Sequence, residues 1–248
     1  MGKLFRRIEQ AARGSPAPMG FAARRESPIP PILLVLIVSH AGEVPPFMEA
    51  QPDGLLLAGA TDEVGAMAQV AQGVPWGVVV SPWSAPLAEE ALQQGADFLV
   101  VDGGAPLEAL GREGVGRVLR LPQGVAAEVA KALDPLPVDG VLLAEPVQPP
   151  LSLEAALALA VWRGKVNRPV LVEVTGLPSP RELEALRDIG VNVLLAGASA
   201  MGREVLGDLR RRLSHLSPRH PAKGRFFPLL PPPPTPQPSP PPQEEEEP

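Results

Sequence analysis

Residues 173–202, EVTGLPSPRELEALRDIGVNVLLAGASAMG, read as strand, glycine-containing loop, helix, strand and second glycine-containing loop, with a further helix after them. The flanking apolar runs, PVLVEV (169–174) and VNVLLAG (191–197), are of strand length and nearly continuous. That pattern suits parallel strands covered on both faces. SPRELEALRDIG (179–190) between them has helical spacing. Ser179 before Pro180 is an N-cap followed by a first-turn proline, and Gly190 ends the helix.

Outward from this unit, six more runs of the same kind stand upstream: ILLVLIVS (32–39), GLLLAG (54–59), WGVVVS (76–81), DFLVVD (97–102), RVLRLP (117–122) and GVLLAE (140–145). Helical segments separate several of them, notably LAEEALQQG (87–95) and LEAALALAVWRG (153–164), the second capped by Ser152. Segments 41–53 and 103–116 make poor helices, so irregular crossovers are expected there. Eight βα units in series predict an α/β chain folded as a compact (β/α)8 TIM barrel, ahead of an open doubly wound sheet. The repeat spans about 190 residues against the roughly 250 usual for this barrel, so short loops and no large lid are expected.

Composition narrows the chemistry. The net charge of −6 argues against a nucleic-acid surface. Cysteine is absent, which excludes disulfides, thiolate catalysis and cysteine metal sites. Histidines at 40, 215 and 220 leave little for a histidine metal centre. The longest apolar run, Ile32 to Val38, is far short of the roughly 20 residues a membrane span needs. No secretory signal is recognisable, so a cytoplasmic location is expected.

The two ends differ from the middle. KLFRRIEQAAR (3–13) fits an amphipathic helix with Leu4, Phe5, Ile8 and Ala12 on one face and Arg6, Arg7 and Arg13 away from it. Packing against the bottom of the barrel is expected, with a membrane-surface or partner helix as the alternative. Gly2 suggests myristoylation, but Arg6 stands where that motif needs Ser or Thr. Residues 217–248 contain 13 prolines and end in EEEEP. Such a segment cannot bury enough apolar surface to order itself. Its PxxP spacings suit a protein partner with an aromatic groove, and Phe226, Phe227, Leu229 and Leu230 form an apolar island within it. The expected organisation is an N-terminal helix and connector (1–31), the barrel (32–216) and a disordered proline-rich acidic tail (217–248).

Reactive groups in this fold sit at the C-terminal ends of strands. Those ends carry Ser39-His40, Thr61-Asp62, Ser81, Asp102, Arg120 with Gln123, Glu145, Glu173 with Thr175, and Ser199. Alternation places Asp102 with Phe98 and Val100, Arg120 with Val118, Glu145 with Val141 and Leu143, and Glu173 with Leu171. If these faces are the inner ones, three carboxylates and one arginine converge at the mouth. Two close carboxylates make an acid–base pair, and Arg120 either neutralises them or binds an anion in a bidentate fork. His40 is a candidate general base. At strands seven and eight, Gly176, Gly197 and Ala198 let backbone N–H groups approach an anion, and Thr175 and Ser199 add hydroxyls. A short helix near Ala200 to Gly202 would aim its N-terminus at the same point. This is the expected phosphate site for a small phosphorylated ligand.

The same residues carry a resemblance. Glu173-Val174-Thr175-Gly176-Leu177, the Ser179-Pro180-Arg181-Glu182 helix start, Gly190-Val191 and Gly197-Ala198-Ser199 resemble the end of indole-glycerol-phosphate synthase and related ribulose-phosphate-binding barrels. SPWSAPLAEEALQQGADFLVVDG (81–103) is similar to that family's third-strand to fourth-strand unit. The resemblance implies the barrel fold, phosphate binding and a role for Glu173. The family's lysines at the ends of strands one and three are replaced by Ser39-His40 and Ser81-Pro82, which removes the synthase's general acid and its clamp on the substrate. Three functions stay open: acid–base lyase or isomerase chemistry on a phosphorylated metabolite, an inert barrel that binds a ligand or serves as a scaffold through its tails, and an FMN-dependent oxidoreductase with the FMN phosphate at the strand 7–8 loops.

Overall fold

A computed structural model describes residues 2–13, 29–59, 61–112 and 114–218. Eight parallel strands close into a barrel in simple sequence order. They are β1 (Leu33–Val38), β2 (Gly54–Leu57), β3 (Trp76–Val80), β4 (Phe98–Asp102), β5 (Gly116–Leu121), β6 (Gly140–Leu143), β7 (Val170–Val174) and β8 (Val191–Gly197). Closure comes from β8 pairing with β1, with Leu194 opposite Leu34 and Gly197 opposite Ile37.

The helices are α1 (Lys3–Arg13), α2 (Val44–Phe47), α3 (Val64–Val70), α4 (Ala85–Gln93), α5 (Ala127–Lys131), α6 (Leu153–Lys165), α7 (Pro180–Ile189) and α8 (Ala198–Ser214). The two segments expected to be poor helices are indeed irregular. Residues 41–50 form two 3-10 turns around the four-residue α2, and among its described residues the β4–β5 crossover holds only the 3-10 turn Leu107–Leu110. Short crossovers are how eight βα units fit this chain. Ser179 and Glu182 form the reciprocal capping box of α7, and Gly190 ends it in the left-handed conformation.

Apolar packing divides into two layers. Leu33, Val35, Leu56, Phe98, Val100, Val118, Leu142, Leu171, Val193 and Leu195 fill the barrel, and the alternate strand residues pack against the helices. The bottom of the barrel is closed by α1, whose Leu4, Phe5 and Ile8 are buried in the inner layer. Phe5 takes the space a side chain would need at the starts of β5 and β6. A Cβ at Gly116 or Gly140 would lie 2.6 or 2.7 Å from its ring. So the amphipathic N-terminus packs on the barrel.

Two details of α1 differ from the sequence reading. Ala12 is exposed, and Arg7 faces the barrel. Arg7 Nη2 donates to Asp53 Oδ1 at 2.7 Å, while Arg210 Nη1 and the Leu34 N–H donate to Asp53 Oδ2 at 2.8 and 3.0 Å. Asp53 is fully buried. Related carboxylates and an amide line the same end. Asp139 Oδ2 accepts the Arg117 N–H, and Asn192 Oδ1 accepts the Val170 N–H. Asp97 instead accepts the Lys3 and Leu4 N–H groups, capping α1 and fixing it to the barrel. The connector residues 14–28, the apolar island at 226–230 and the acidic end of the chain lie outside the described residues. Among the described residues no helix is long and apolar enough to cross a membrane.

Candidate functional site

Polar residues meet at the C-terminal mouth because alternation carries them inward above the apolar layer. Asp102 follows Phe98 and Val100, Arg120 follows Val118, Glu173 follows Leu171, and Ser81 follows Val79. The β4–β5 register sets Asp102 opposite Arg120. Their side chains join in a two-point fork, Arg120 Nε to Asp102 Oδ1 at 2.7 Å and Nη2 to Oδ2 at 3.3 Å. The Ser81 hydroxyl donates to Asp102 Oδ2 from the neighbouring strand. Both members of the fork are partly open to water, so it orients the guanidinium more than it stabilises the fold.

Ser81 and Arg120 stand in one wall of a cavity of about 450 Å³, while Asp102, behind them, lines a separate cavity. Ser81, Arg120 and Glu173 supply its polar side. Ile37, Leu56, Val79, Leu142 and Leu195 supply its floor, and Ala58 and Gly59 its rim. Gly59 sits so close to β1 that a Cβ there would lie 2.2 Å from the Ser39 carbonyl oxygen. Burial raises the Glu173 carboxyl above its ordinary range, and the Arg120 guanidinium only partly opposes this. A carboxyl held toward its neutral form beside a fixed cation is equipped to donate a proton as well as accept one.

The two glycine loops are neighbours. Val174 pairs with Ala196, so Thr175 and Gly197 are the next residues on adjacent strands. Thr175 and Ser199 are exposed, Gly176 and Gly197 half-buried and Ala198 buried. No side chain caps the start of α8 at Gly197. The expected short helix after β8 runs from Ala198 to a kink at Gly202, whose φ of 76° and ψ of 164° separate it from the rest of α8. One donor is already engaged, since the Thr175 N–H bonds to the Val147 carbonyl at 3.2 Å. The mouth cavity reaches β7 and β8 at Glu173 and Leu195, two residues short of Thr175 and Gly197.

Two expected members do not join this wall. On β6 the inward residue is Leu142, and Val141 and Leu143 face the helices, so the face carrying Glu145 is the outer one. Glu145 Oε2 accepts the Gln123 N–H at 2.8 Å and lines a separate cavity with Gln148 and the start of α6. His40 is exposed, and its Nδ1 lies 3.2 Å from Glu43 Oε1. Trp83 packs against the outer layer. Ser81 stood among the strand ends but carried no assigned role. The Val79–Ser81 alternation was the signal that it faces Asp102. The lysine positions of the synthase pattern stay empty of cations, and Lys165 instead donates to the Val125 carbonyl. Among the described residues no three His, Asp or Glu side chains are grouped as metal ligands would be.

No protein-family profile matches the chain, and no curated protein matches it. Solved structures do. 3-Keto-L-gulonate-6-phosphate decarboxylase from Vibrio cholerae superposes with a TM-score of 0.59 at 11% identity, covering 75% of this chain and 99% of that one. Orotidine 5'-phosphate decarboxylase from Pyrococcus horikoshii gives 0.57 at 11% identity, covering 73% and 99%. Thiamine phosphate pyrophosphorylase from Pyrococcus furiosus gives 0.56 at 14% identity, covering 75% and 96%. These matches do not single out indole-glycerol-phosphate synthase. At such identities the likeness is one of fold, a closed TIM barrel of eight parallel strands.

Proposed function

We propose that the barrel binds a small phosphorylated metabolite across its mouth and transfers a proton on it, in lyase or isomerase chemistry. The phosphate rests against Gly176, Gly197, Ala198 and the Thr175 and Ser199 hydroxyls. The rest of the molecule enters the cavity over Leu56 and Leu195. There Glu173 exchanges the proton, while Arg120, held by Asp102, which Ser81 fixes in turn, steadies an oxygen of the ligand. The observation that carries this reading is the cavity itself, which joins a half-buried carboxyl of raised pKa to an oriented arginine two residues below the glycine loops. The similar structures support the ligand class, because the names of all three include a phosphorylated compound.

The inert-barrel reading has one observation in its favour. Arg120 is already tied to Asp102 at two points, which leaves fewer donors for a ligand. Ligand binding tests the anion site, and turnover then separates the catalytic barrel from the inert one. Melting temperatures are measured with inorganic phosphate, ribose 5-phosphate and FMN. A ligand of the folded state raises stability by RT ln(1 + [L]/Kd), about 2.7 kcal/mol at one hundred times Kd. The shift should vanish in Ser199→Asp, whose carboxylate repels the anion, and survive in Glu173→Gln. A shift retained in Ser199→Asp removes the anion site. Once a bound compound is found to turn over, equal turnover by Glu173→Gln removes the acid–base role. A yellow protein would place FMN first.

A further inference from the structure

One sector of the barrel's outer wall is unlike the rest. The large hydrophobic side chains that are exposed among the described residues are Leu107, Val129, Leu153, Leu157 and Val161. All five lie on the three consecutive crossovers after β4, β5 and β6. Two of those crossovers offer only a four-residue 3-10 turn and the five-residue α5 as cover. The third is α6, with Leu153, Leu157 and Val161 at four-residue spacing along its solvent side, 76, 58 and 63% exposed. Leu159 and Trp162 occupy its buried side. A helix apolar on both sides is the pattern of a helix covered on both sides. Elsewhere the solvent faces carry charge, Glu89 and Glu90 on α4, Glu184 and Asp188 on α7, and Arg203, Glu204 and Arg211 on α8.

We infer that this sector is a dimer interface, with α6 packed antiparallel on α6 of a second copy of the chain around a two-fold axis. Charge selects the occupant and its direction. On α6 it stands only at the ends, Glu154 in the first turn and Arg163 and Lys165 in the last. Antiparallel pairing brings Glu154 of each copy toward the Lys165 end of the other, where the ammonium keeps its bond to the Val125 carbonyl and has two further donors, and opposes the two helix dipoles. A two-fold contact is self-complementary in this way. Ala156 and Ala160 leave room beside Leu157 and Val161 for the facing knobs. Area sets the strength. A 13-residue helix is about 20 Å long and roughly 10 Å wide, a footprint near a quarter of the ~800 Å² that each partner gives a standard interface. The helix pair alone is therefore insufficient. Val129 on α5 and Leu107 widen the contact, giving a weak dimer that forms with rising concentration.

The test needs no ligand: light scattering and sedimentation of the full chain from about 1 to 300 µM, a range that brackets weak association. The expected result is a reversible monomer–dimer transition. It should be abolished by Leu157→Glu and by Leu153→Glu with circular dichroism unchanged and, at about 1 µM where the wild type is also monomeric, an unchanged melting temperature, since both side chains are exposed. The chain has no cysteine, so Ala160→Cys introduces a unique thiol. It should form an intermolecular disulfide under mild oxidation, while Glu90→Cys on α4 should not. A monomer throughout the range overturns the inference. So does a dimer that survives both glutamate variants, which would use another face. Dimerisation that appears only after residues 219–248 are deleted also overturns it, because the tail would then be the native occupant.

Discussion

Replacing Asp53 by alanine should cost about 3 kcal/mol, and the loss should reach α1 and α8 together. Asp53 is fully buried and accepts three hydrogen bonds of 2.7, 2.8 and 3.0 Å, from Arg7, Arg210 and the Leu34 N–H. Removing one partner of a buried charge pair typically costs 3–5 kcal/mol, because the remaining charge is left uncompensated. Here the two arginine side chains are 38 and 21% exposed, so water relieves part of that penalty and the lower end applies. For a chain of this size about 3 kcal/mol lowers the melting temperature by roughly 6–12 °C. Urea melts of the wild type, Asp53→Ala, Arg210→Ala and the double variant measure both the loss and the coupling. The Asp53 and Arg210 effects should be strongly non-additive, and hydrogen exchange should show α1 opening more readily in Asp53→Ala. A loss below 1 kcal/mol, or full additivity, would refute the idea that this carboxylate clamps the barrel's bottom.

Other expectations concern the plug, the mouth and the caps. Phe5→Ala empties the space between Gly116 and Gly140 and should cost about 3–5 kcal/mol in the same melts. Gly59→Ala sets a methyl against the Ser39 carbonyl and should cost about 1–3 kcal/mol, whereas Gly124→Ala, with open space around it, should be near neutral. The folded-state pKa of Glu173 is raised, so its contribution to stability is present below the ordinary Glu range and is lost as pH rises through the folded value. Glu173→Gln should therefore melt higher than the wild type at pH 7, with the difference closing below about pH 4; an unchanged difference would count against the half-buried carboxyl. Glu182 behaves oppositely. Burial raises its pKa, but bonds from the Ser179 hydroxyl and the Leu151 and Ser179 N–H groups outweigh burial and lower it overall. Glu182→Gln should lose about 1 kcal/mol at pH 7, a deficit that shrinks as pH falls through the folded pKa and the wild type itself protonates.

Much of the fold was legible locally. Eight apolar runs of strand length, Ser179-Pro180 at a helix start and Gly190 at its end define their elements whatever surrounds them, because capping and burial periodicity act within a few residues. Inward orientation was legible on β4, β5 and β7 for a related reason. On β4 and β7 a single charged residue, Asp102 or Glu173, marks one face of an otherwise apolar strand, and only the mouth of the barrel can receive it; β5 carries two arginines on opposite faces, and Arg120 is the one near the C-terminal end. On β6 that marker is missing from the strand itself. Residues 140–143, GVLL, are apolar toward both the barrel and the helices, so alternation alone gives no preference between the faces. Pairing decided it, with Leu142 opposite Leu171 on β7, and Glu145 went to the outer side. The Asp53 clamp lay beyond sequence reading for a different reason. Arg210 is 157 residues from Asp53 and Arg7 is 46, and nothing local relates them. Only closure of the strand ring, which sets β8 beside β1 and carries α8 back over that seam, brings the three charges together.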